Sequence, residues 1–290
     1  MPIKNFNLII RKKISFFNKE ITVDSDKSLS IRSFLIGSIC QNISTANNVL
    51  ESDDVKSTIE ACRKLGVKII KIKPQTYKIY GKGLGSLHMK KNTEINFGNS
   101  GTLARLLIGI LSTNPNICIK IKGDHSLNKR NMRKLIDIMS KFGASFLPKQ
   151  KNTFPLKMIS SEIPVGIKFK SGVSAQLKSA VILAGLNSHG NTEIEEQVTS
   201  RNHTENLLMN SKQSIKIKKD KKKIIKIFGK NYLNPINVNI GGDPSSAAFF
   251  TALTLMNHNS SLKIKNVGLN PTRTGFYDIL KKQKVNLKFI

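Results

Sequence analysis

Lys27, Ser28 and Arg32 place two cations and a hydroxyl within little more than one helical turn. Positions 28 and 32 share a helix face, and Lys27 lies at its start. A point-charge ammonium beside a fork-shaped guanidinium can hold two different anionic groups. A second set is Phe97-Gly98-Asn99-Ser100-Gly101-Thr102, where Gly98 and Gly101 let the backbone approach a ligand closely before the apolar residues 103–111 continue as a helix. Ser174-Ala175-Gln176 and Ser245-Ser246-Ala247 open two further apolar stretches. Helices that begin on Ser, Thr or Gly present free backbone N–H groups and the positive end of the helix dipole, which suits phosphates and carboxylates. Any one such start reads as an ordinary capped core helix; four of them, each near an Arg or Lys, predict an anion site. Arg130, closing Gly123-Asp124-His125-Ser126-Leu127-Asn128-Lys129-Arg130, is expected to begin a helix and on its own reads as a solvent-facing arginine. Gly81-Lys82-Gly83-Leu84-Gly85 lacks both the Walker lysine–hydroxyl ending and the dinucleotide spacing, so it reads as a turn between strands.

The elements that must carry these residues repeat. Helix starts at Lys27, Ser100, Ser174 and Ser245 are spaced by 73, 74 and 71 residues, each leading into a strongly apolar stretch such as 103–111, 181–186 or 247–256. A second, amphipathic helix follows near Asp54, Arg130, Arg201 and Arg273, spaced by 76, 71 and 72 residues. Short β-rich runs are expected at 66–70, 143–146 and 285–289. Alternating helices and strands predict an α/β (α+β) fold of repeated units whose buried helices pack together under sheets, with three full units and a partial fourth. Residues 234–242, with proline and paired glycines, are the expected junction between a three-unit domain and a further one. The stretch after it holds too few elements to close a core, so a truncated chain is expected.

The chain has 290 residues, 39% hydrophobic and 23% charged, a globular composition long enough for about two domains. No apolar run approaches the ~18 residues of a spanning helix, and the N-terminus scatters Lys4, Arg11, Lys12 and Lys13 among short apolar runs. A cytoplasmic location is therefore expected. Cys40, Cys62 and Cys118 lie far apart without a Cys-x-x-Cys, which argues for reduced thiols and against zinc or disulfide scaffolds. The formal charge is +30, a field that attracts nucleic acid, anionic membrane or small anions. Lysine is inflated throughout, as in 218–223, which reads as a solvated hairpin. There is no Trp and there are only four Tyr for stacking bases, so a nucleic-acid role is not the favoured reading.

Seven strings, in order, resemble the 5-enolpyruvylshikimate-3-phosphate (EPSP) synthase family, that is, 3-phosphoshikimate 1-carboxyvinyltransferase. They are Asp26-Lys27-Ser28-Leu29-Ser30-Ile31-Arg32-Ser33, Asn99-Ser100-Gly101-Thr102, the run from Gly123-Asp124 to Arg130, Ser174-Ala175-Gln176-Leu177-Lys178-Ser179-Ala180, Ser200-Arg201-Asn202-His203-Thr204-Glu205, Gly242-Asp243-Pro244-Ser245-Ser246 and Asn270-Pro271-Thr272-Arg273-Thr274-Gly275. The match runs from about residue 20 to the end, and the Ser-Ala-Gln and Asn-Pro-Thr-Arg-Thr-Gly variants resemble the bacterial class II branch.

The resemblance implies an enolpyruvyl transferase-like inverse α/β barrel of βαβαββ units, with residues 26–240 forming a three-repeat domain, 241–290 the first part of a second, and 1–25 a strand region belonging with that second domain. It implies transfer of the enolpyruvyl group of phosphoenolpyruvate to the 5-hydroxyl of shikimate 3-phosphate, a step of the shikimate pathway toward chorismate and the aromatic amino acids. By resemblance, Lys27 and Gln176 are catalytic and contact both substrates. Ser28, Arg32, Ser174, Ala175 and Arg201 hold shikimate 3-phosphate, while Gly101, Thr102 and Arg130 hold phosphoenolpyruvate. Gly101 leaves room for glyphosate. Neither metal nor organic cofactor is implied, and the partners are these two small molecules, with no membrane or nucleic acid and a monomeric full-length protein.

Two departures stand out. The family's later segment, carrying an aspartate base, a glutamate and further cations for phosphoenolpyruvate, has no counterpart before Ile290, and Asn131 replaces the usual proline after the arginine. The competing readings are the sister transferase acting on UDP-N-acetylglucosamine, which carries a cysteine where His125 stands, a basic nucleic-acid-binding protein, and an inactive truncated polypeptide.

Overall fold

The computed structural model describes residues 9, 15–89, 93–220 and 222–290; Lys4, Arg11, Lys12 and Lys13, and Lys221 within the lysine run, lie outside the described residues. After strand β1 (Asn18–Thr22), the first unit runs α1 (Lys27–Ile39), β2 (Ile43–Asn47), α2 (Asp53–Lys64), β3 (Lys68–Lys73) and β4 (Thr76–Tyr80). The second is β5 (Glu94–Asn96), α3 (Gly101–Ser112), β6 (Cys118–Lys122), the single turn α4 (His125–Asn128), α5 (Arg133–Lys141), β7 (Ser145–Leu147) and β8 (Leu156–Ile159). The third is β9 (Lys168–Ser171), α6 (Ala175–Leu186), β10 (Asn191–Glu196), α7 (His203–Leu208), β11 (Ile215–Lys219) and β12 (Lys223–Phe228). Then follow β13 (Asn237–Asn239), α8 (Pro244–Leu255), β14 (Ser261–Lys265) and α9 (Gly275–Lys282).

Three four-stranded sheets share one order: β13-β2-β4-β3, β5-β6-β8-β7 and β9-β10-β12-β11. In each, the first two strands of that order pair parallel, and the other pairings are antiparallel. Each sheet shows strand alternation: Ile119 and Ile121, or Ile225 and Ile227, point inward while lysines such as Lys120 and Lys216 point out. The chain exchanges two first strands. β13, distant in sequence, supplies the parallel edge of the first sheet, whereas β1 pairs with β14 of the fourth, partial unit. The two connections cross through Asp26 N to Gly241 O (2.9 Å), Asp243 N to Asp24 O (2.8 Å) and a bridge between Ser25 and Gly242.

The core forms where α1, α3 and α6 meet. Each is capped by a side chain that accepts a first-turn N–H, from Asp26, Ser100 and Ser174 respectively, and each is buried on nearly every side, including polar side chains such as Arg32 and Lys178. Gly109 permits closest approach, because a Cβ there would lie 2.6 Å from the Ala180 carbonyl oxygen. The outer helices α2 and α5 bury one stripe each and close on Gly66 and Gly143 at φ +84° and +96°, the left-handed stop that a glycine supplies. Cys40 and Cys62 are buried free thiols, and burial lifts them to about 12 and about 11. Among the described residues no helix is long and apolar enough to cross a membrane.

Two expectations need correction. Arg130 does not begin a helix: it sits in the turn between α4 and α5, because Arg130 N closes on Leu127 O and the Asn131 side chain accepts Arg133 N at 2.8 Å, restarting the chain at Arg133. Residues 285–289 do not form a strand. They meet no open edge among the described residues and fold back, with Phe289 packed against Tyr277 and under Lys281.

Candidate active site

The starts of α1, α3 and α6 open onto one cavity of about 450 Å³, lined by Lys27, Asp54, Asn99, Gly101, Thr102, Arg105, Arg130 and Gln176. Lys27, Gly101, Thr102, Arg130 and Gln176, expected from sequence, are thus brought together, although Lys27 and Gln176 are 149 residues apart. Gln176 bridges two helices by donating Nε2 to Thr102 Oγ1 (2.9 Å) and accepting Arg105 Nη1 at Oε1 (2.9 Å). Arg105 Nη1 also donates to the Gly101 carbonyl (3.1 Å). Arg130 Nη2 donates to Asn99 Oδ1 (2.6 Å), and Lys27 pairs with Asp54 at 3.0 Å.

The cavity holds Lys27, Arg105 and Arg130 against a single carboxylate, Asp54, and faces helix N-termini. Burial and then neighbouring Arg130 pull the Arg105 guanidinium below its ordinary value, the expected strain of two close cations. An anion relieves that repulsion. Gly101 matters sterically, since a Cβ there would stand 2.7 Å from Arg105 Nη1 and 3.0 Å from Arg130 Nη1.

Arg105, Asp54 and Asn99 were not expected from sequence. The signal for Arg105 was present: it follows Gly101 by four residues and so shares its helix face, yet it sits inside the apolar stretch 103–111 that reads as core. Asp54 was read only as a helix start.

The remaining expected residues lie off the cavity lining. Ser174 caps α6 and Ala175 opens it, adjacent in sequence to Gln176; the Ser28 carbonyl accepts Arg32 Nη1 at 3.0 Å. Arg32 is 3% exposed and also donates to Thr204 Oγ1 (2.9 Å) and Ser179 Oγ (3.3 Å), tying α1 to α7 and α6. Burial brings it down to about 10, so it stays charged at neutral pH. Arg201 is exposed beside Arg273, Asp26 and Asp243. His203, buried between them, is pushed to about 3 by burial and by Arg32, Arg273 and Arg201, and among the described residues its Nδ1 has no hydrogen-bond partner.

Behind Arg201 lies a buried charge network. Lys178 Nζ stands 2.6 Å from Glu196 Oε1 and 2.7 Å from Glu205 Oε1, all three at 0–1% side-chain exposure. Glu196 Oε1 also accepts Ser200 N (2.9 Å) and Ser200 Oγ (3.0 Å), which fixes the residue before Arg201. Burial pushes the Glu196 carboxyl up, but bonds from Lys178, Lys223 and Ser200 outweigh it and hold it at about 2.

A second cavity, about 490 Å³, lies at the other ends of the helices, lined by Gln41, Asn42, Lys82, Lys230 and neighbours. The Lys82 and Lys230 amides already cap α1 and α6 carbonyls there, and the negative dipole ends disfavour an anion. Among the described residues no group of three His, Cys, Asp or Glu side chains could hold a metal ion.

The family model described as EPSP synthase (3-phosphoshikimate 1-carboxyvinyltransferase) matches residues 11–288. The chain belongs to the EPSP synthase family. It is 38% identical over 264 residues to the 3-phosphoshikimate 1-carboxyvinyltransferase of Novosphingobium aromaticivorans, covering 90% of this chain and 59% of that one. It is 38% identical over 279 residues to the Bacillus subtilis protein of that name, covering 96% and 64%. Among solved structures, the EPSP synthase of Acinetobacter baumannii superimposes with a TM-score of 0.82 at 33% identity, over 94% of this chain and 61% of that one. The chain thus spans about three fifths of the length of the curated relatives it matches. Family membership accounts for the three βαβαββ units and the partial fourth.

Proposed function

We propose that this chain carries the phosphoenolpyruvate pocket and much of the shikimate 3-phosphate site of an enolpyruvyl transfer reaction. The observation that carries the reading is the cavity where all five residues expected to hold phosphoenolpyruvate meet, with Arg105 added. In the reaction the shikimate 5-hydroxyl oxygen adds to C2 of phosphoenolpyruvate while C3 gains a proton. The tetrahedral intermediate then loses phosphate from C2 and a proton from C3. Arg105, Arg130 and Lys27 stabilise the phosphate as its charge grows, in a partly desolvated site where fixed cations act strongly. Gln176, anchored on Thr102 and Arg105, orients the two reactants at their junction, and Lys27, coupled to Asp54, is placed to move a proton.

Shikimate 3-phosphate is assigned to the adjacent edge, where Ser28, Ser174, Ala175 and Arg201 flank the helix starts and Arg32 holds α1, α6 and α7 together beneath them. We further propose a division into residues 26–240 and 241–290, with 1–25 joined to the latter, as the pairing of β1 with β14 supports. We also propose that the full-length protein acts in the cytoplasm as a monomer on small molecules, without membrane or nucleic-acid partners.

Titration calorimetry tests the reading. Saturable binding of shikimate 3-phosphate, weakened at least tenfold in Lys27→Ala and in Arg201→Ala, is the expected result. No heat with shikimate 3-phosphate, together with steeply salt-dependent binding of RNA or DNA, would overturn it in favour of a basic nucleic-acid binder.

A further inference from the structure

Arg273 lies outside the cavity and outside every role assigned above, yet it is 5% exposed and makes three bonds. Its Nη1 donates to Asp26 Oδ2 at 2.8 Å, and its Nη2 to Asp243 Oδ1 at 2.6 Å and Ser245 Oγ at 2.9 Å. Both carboxylates are helix caps: Asp26 accepts Leu29 N at the start of α1, and Asp243 accepts Ser245 N at the start of α8. The same loop reaches a third helix start, because Asn270 Nδ2 donates to Asn202 Oδ1 (2.8 Å) at the N-cap of α7. Asp26 precedes Lys27 and Asn202 follows Arg201. One loop therefore grips the neighbours of two proposed substrate cations.

The electrostatics are competitive. The bond from Asn270 to Asn202 ties the residue after Arg201 to the loop that carries Arg273, and at Arg201 burial and Arg273 lower the pKa while Asp26 and Asp243 raise it. Among the described residues Arg201 forms no ion pair of its own. A guanidinium fork can satisfy two carboxylates at once through separate nitrogens, whereas an ammonium cannot reproduce that geometry.

We propose that Arg273 is a positioning residue that neutralises Asp26 and Asp243 and so keeps Arg201 free to hold the phosphate of the substrate. Without Arg273, the two carboxylates capture Arg201 and draw it off the anion site. This rests on the substrate reading above and deepens it.

The test is charge rescue. Arg273→Gln should weaken shikimate 3-phosphate binding about tenfold in calorimetry, and adding Asp243→Asn, which removes a competing charge while keeping a capping side chain, should recover most of the loss. Arg273→Lys should recover less than the double variant. A purely structural arginine predicts the reverse, with the second substitution deepening the loss. A crystal structure of Arg273→Gln gives a readout independent of substrate: Arg201 should move onto Asp26 and Asp243. Arg201 unmoved, or binding not rescued, overturns the proposal. If the parent chain binds no shikimate 3-phosphate, the substrate reading fails and the position of Arg201 in that crystal structure alone decides the role of Arg273.

Discussion

Helix α8 repeats the plan of α1, α3 and α6: a capping side chain at its start, then a run rich in apolar and small residues. Yet α1 and α3 bury ten residues each and α6 nine, whereas α8 buries only Pro244 and Ala247 and leaves Phe249 79% exposed. The three body helices bury one another; among the described residues α8 packs chiefly on β14. Apolar composition states that a helix needs cover, and topology decides whether it has any. The same contrast holds for charge: Lys178 is sealed between two glutamates, while Lys263 and Lys265 meet Glu20 on an open two-stranded sheet.

The sharpest way to break that contrast is at the lysines. Lys178→Met should destabilise the chain by about 3–5 kcal/mol in urea unfolding, because Glu196 and Glu205 lose their buried partner. Lys263→Ala should cost less than about 1 kcal/mol, as an exposed pair does. Equal effects would show that the network contributes no more than a surface pair.

Next come the glycines. Gly109→Ala should cost roughly 1–3 kcal/mol by forcing α3 from α6, whereas a Cβ at Gly275, the first residue of α9, meets open space and should change stability by less than about 0.5 kcal/mol. Thermal unfolding with matched calorimetric controls reads both.

The body should also carry a pH signature. His203 stays neutral in the fold down to about 3, while an unfolded imidazole titrates near the ordinary value of about 6.5. The unfolded chain therefore binds the extra proton between those values. Stability contributed by this group is complete above about pH 6.5 and lost as pH falls toward 3. His203→Gln should flatten that part of the profile, and an unchanged slope between pH 6.5 and 4 would contradict it.

A functional effect smaller than that of Lys178→Met is expected at Gly101. Gly101→Ala should displace Arg105 or Arg130 and weaken phosphoenolpyruvate and glyphosate binding about tenfold, roughly 1.4 kcal/mol, with little change in stability. Unaltered affinity would show that the start of α3 does not face the ligand.

Much of this was legible in sequence because helix starts carry local marks. Lys27, Ser100, Ser174 and Ser245 mark the starts, and the apolar runs behind them announce burial; the capping carboxylates of Asp26 and Asp243 came only with the structure. Four of the five cavity residues expected from sequence, Lys27, Gly101, Thr102 and Gln176, sit at such starts, while Arg130 lies in the turn before α5. Arg105 was hidden because a lone cation within the apolar run 103–111 shows only its surroundings, not its reach to Gln176. The exchange of β13 and β1 was also hidden, since strand pairing is non-local and nothing in Asn237–Asn239 names β2 as its neighbour. Residues 285–289 alternate like a strand, but pattern cannot report whether an edge is open to receive it.

A crystal structure of the chain with shikimate 3-phosphate and phosphoenolpyruvate bound tests the convergence of helix starts most directly. The phosphoenolpyruvate phosphate is expected within hydrogen-bonding distance of Arg130 and Lys27, with Gln176 at the junction of the two ligands. Ligand density at the Lys82 and Lys230 cavity, with the Lys27 cavity left empty, would contradict it.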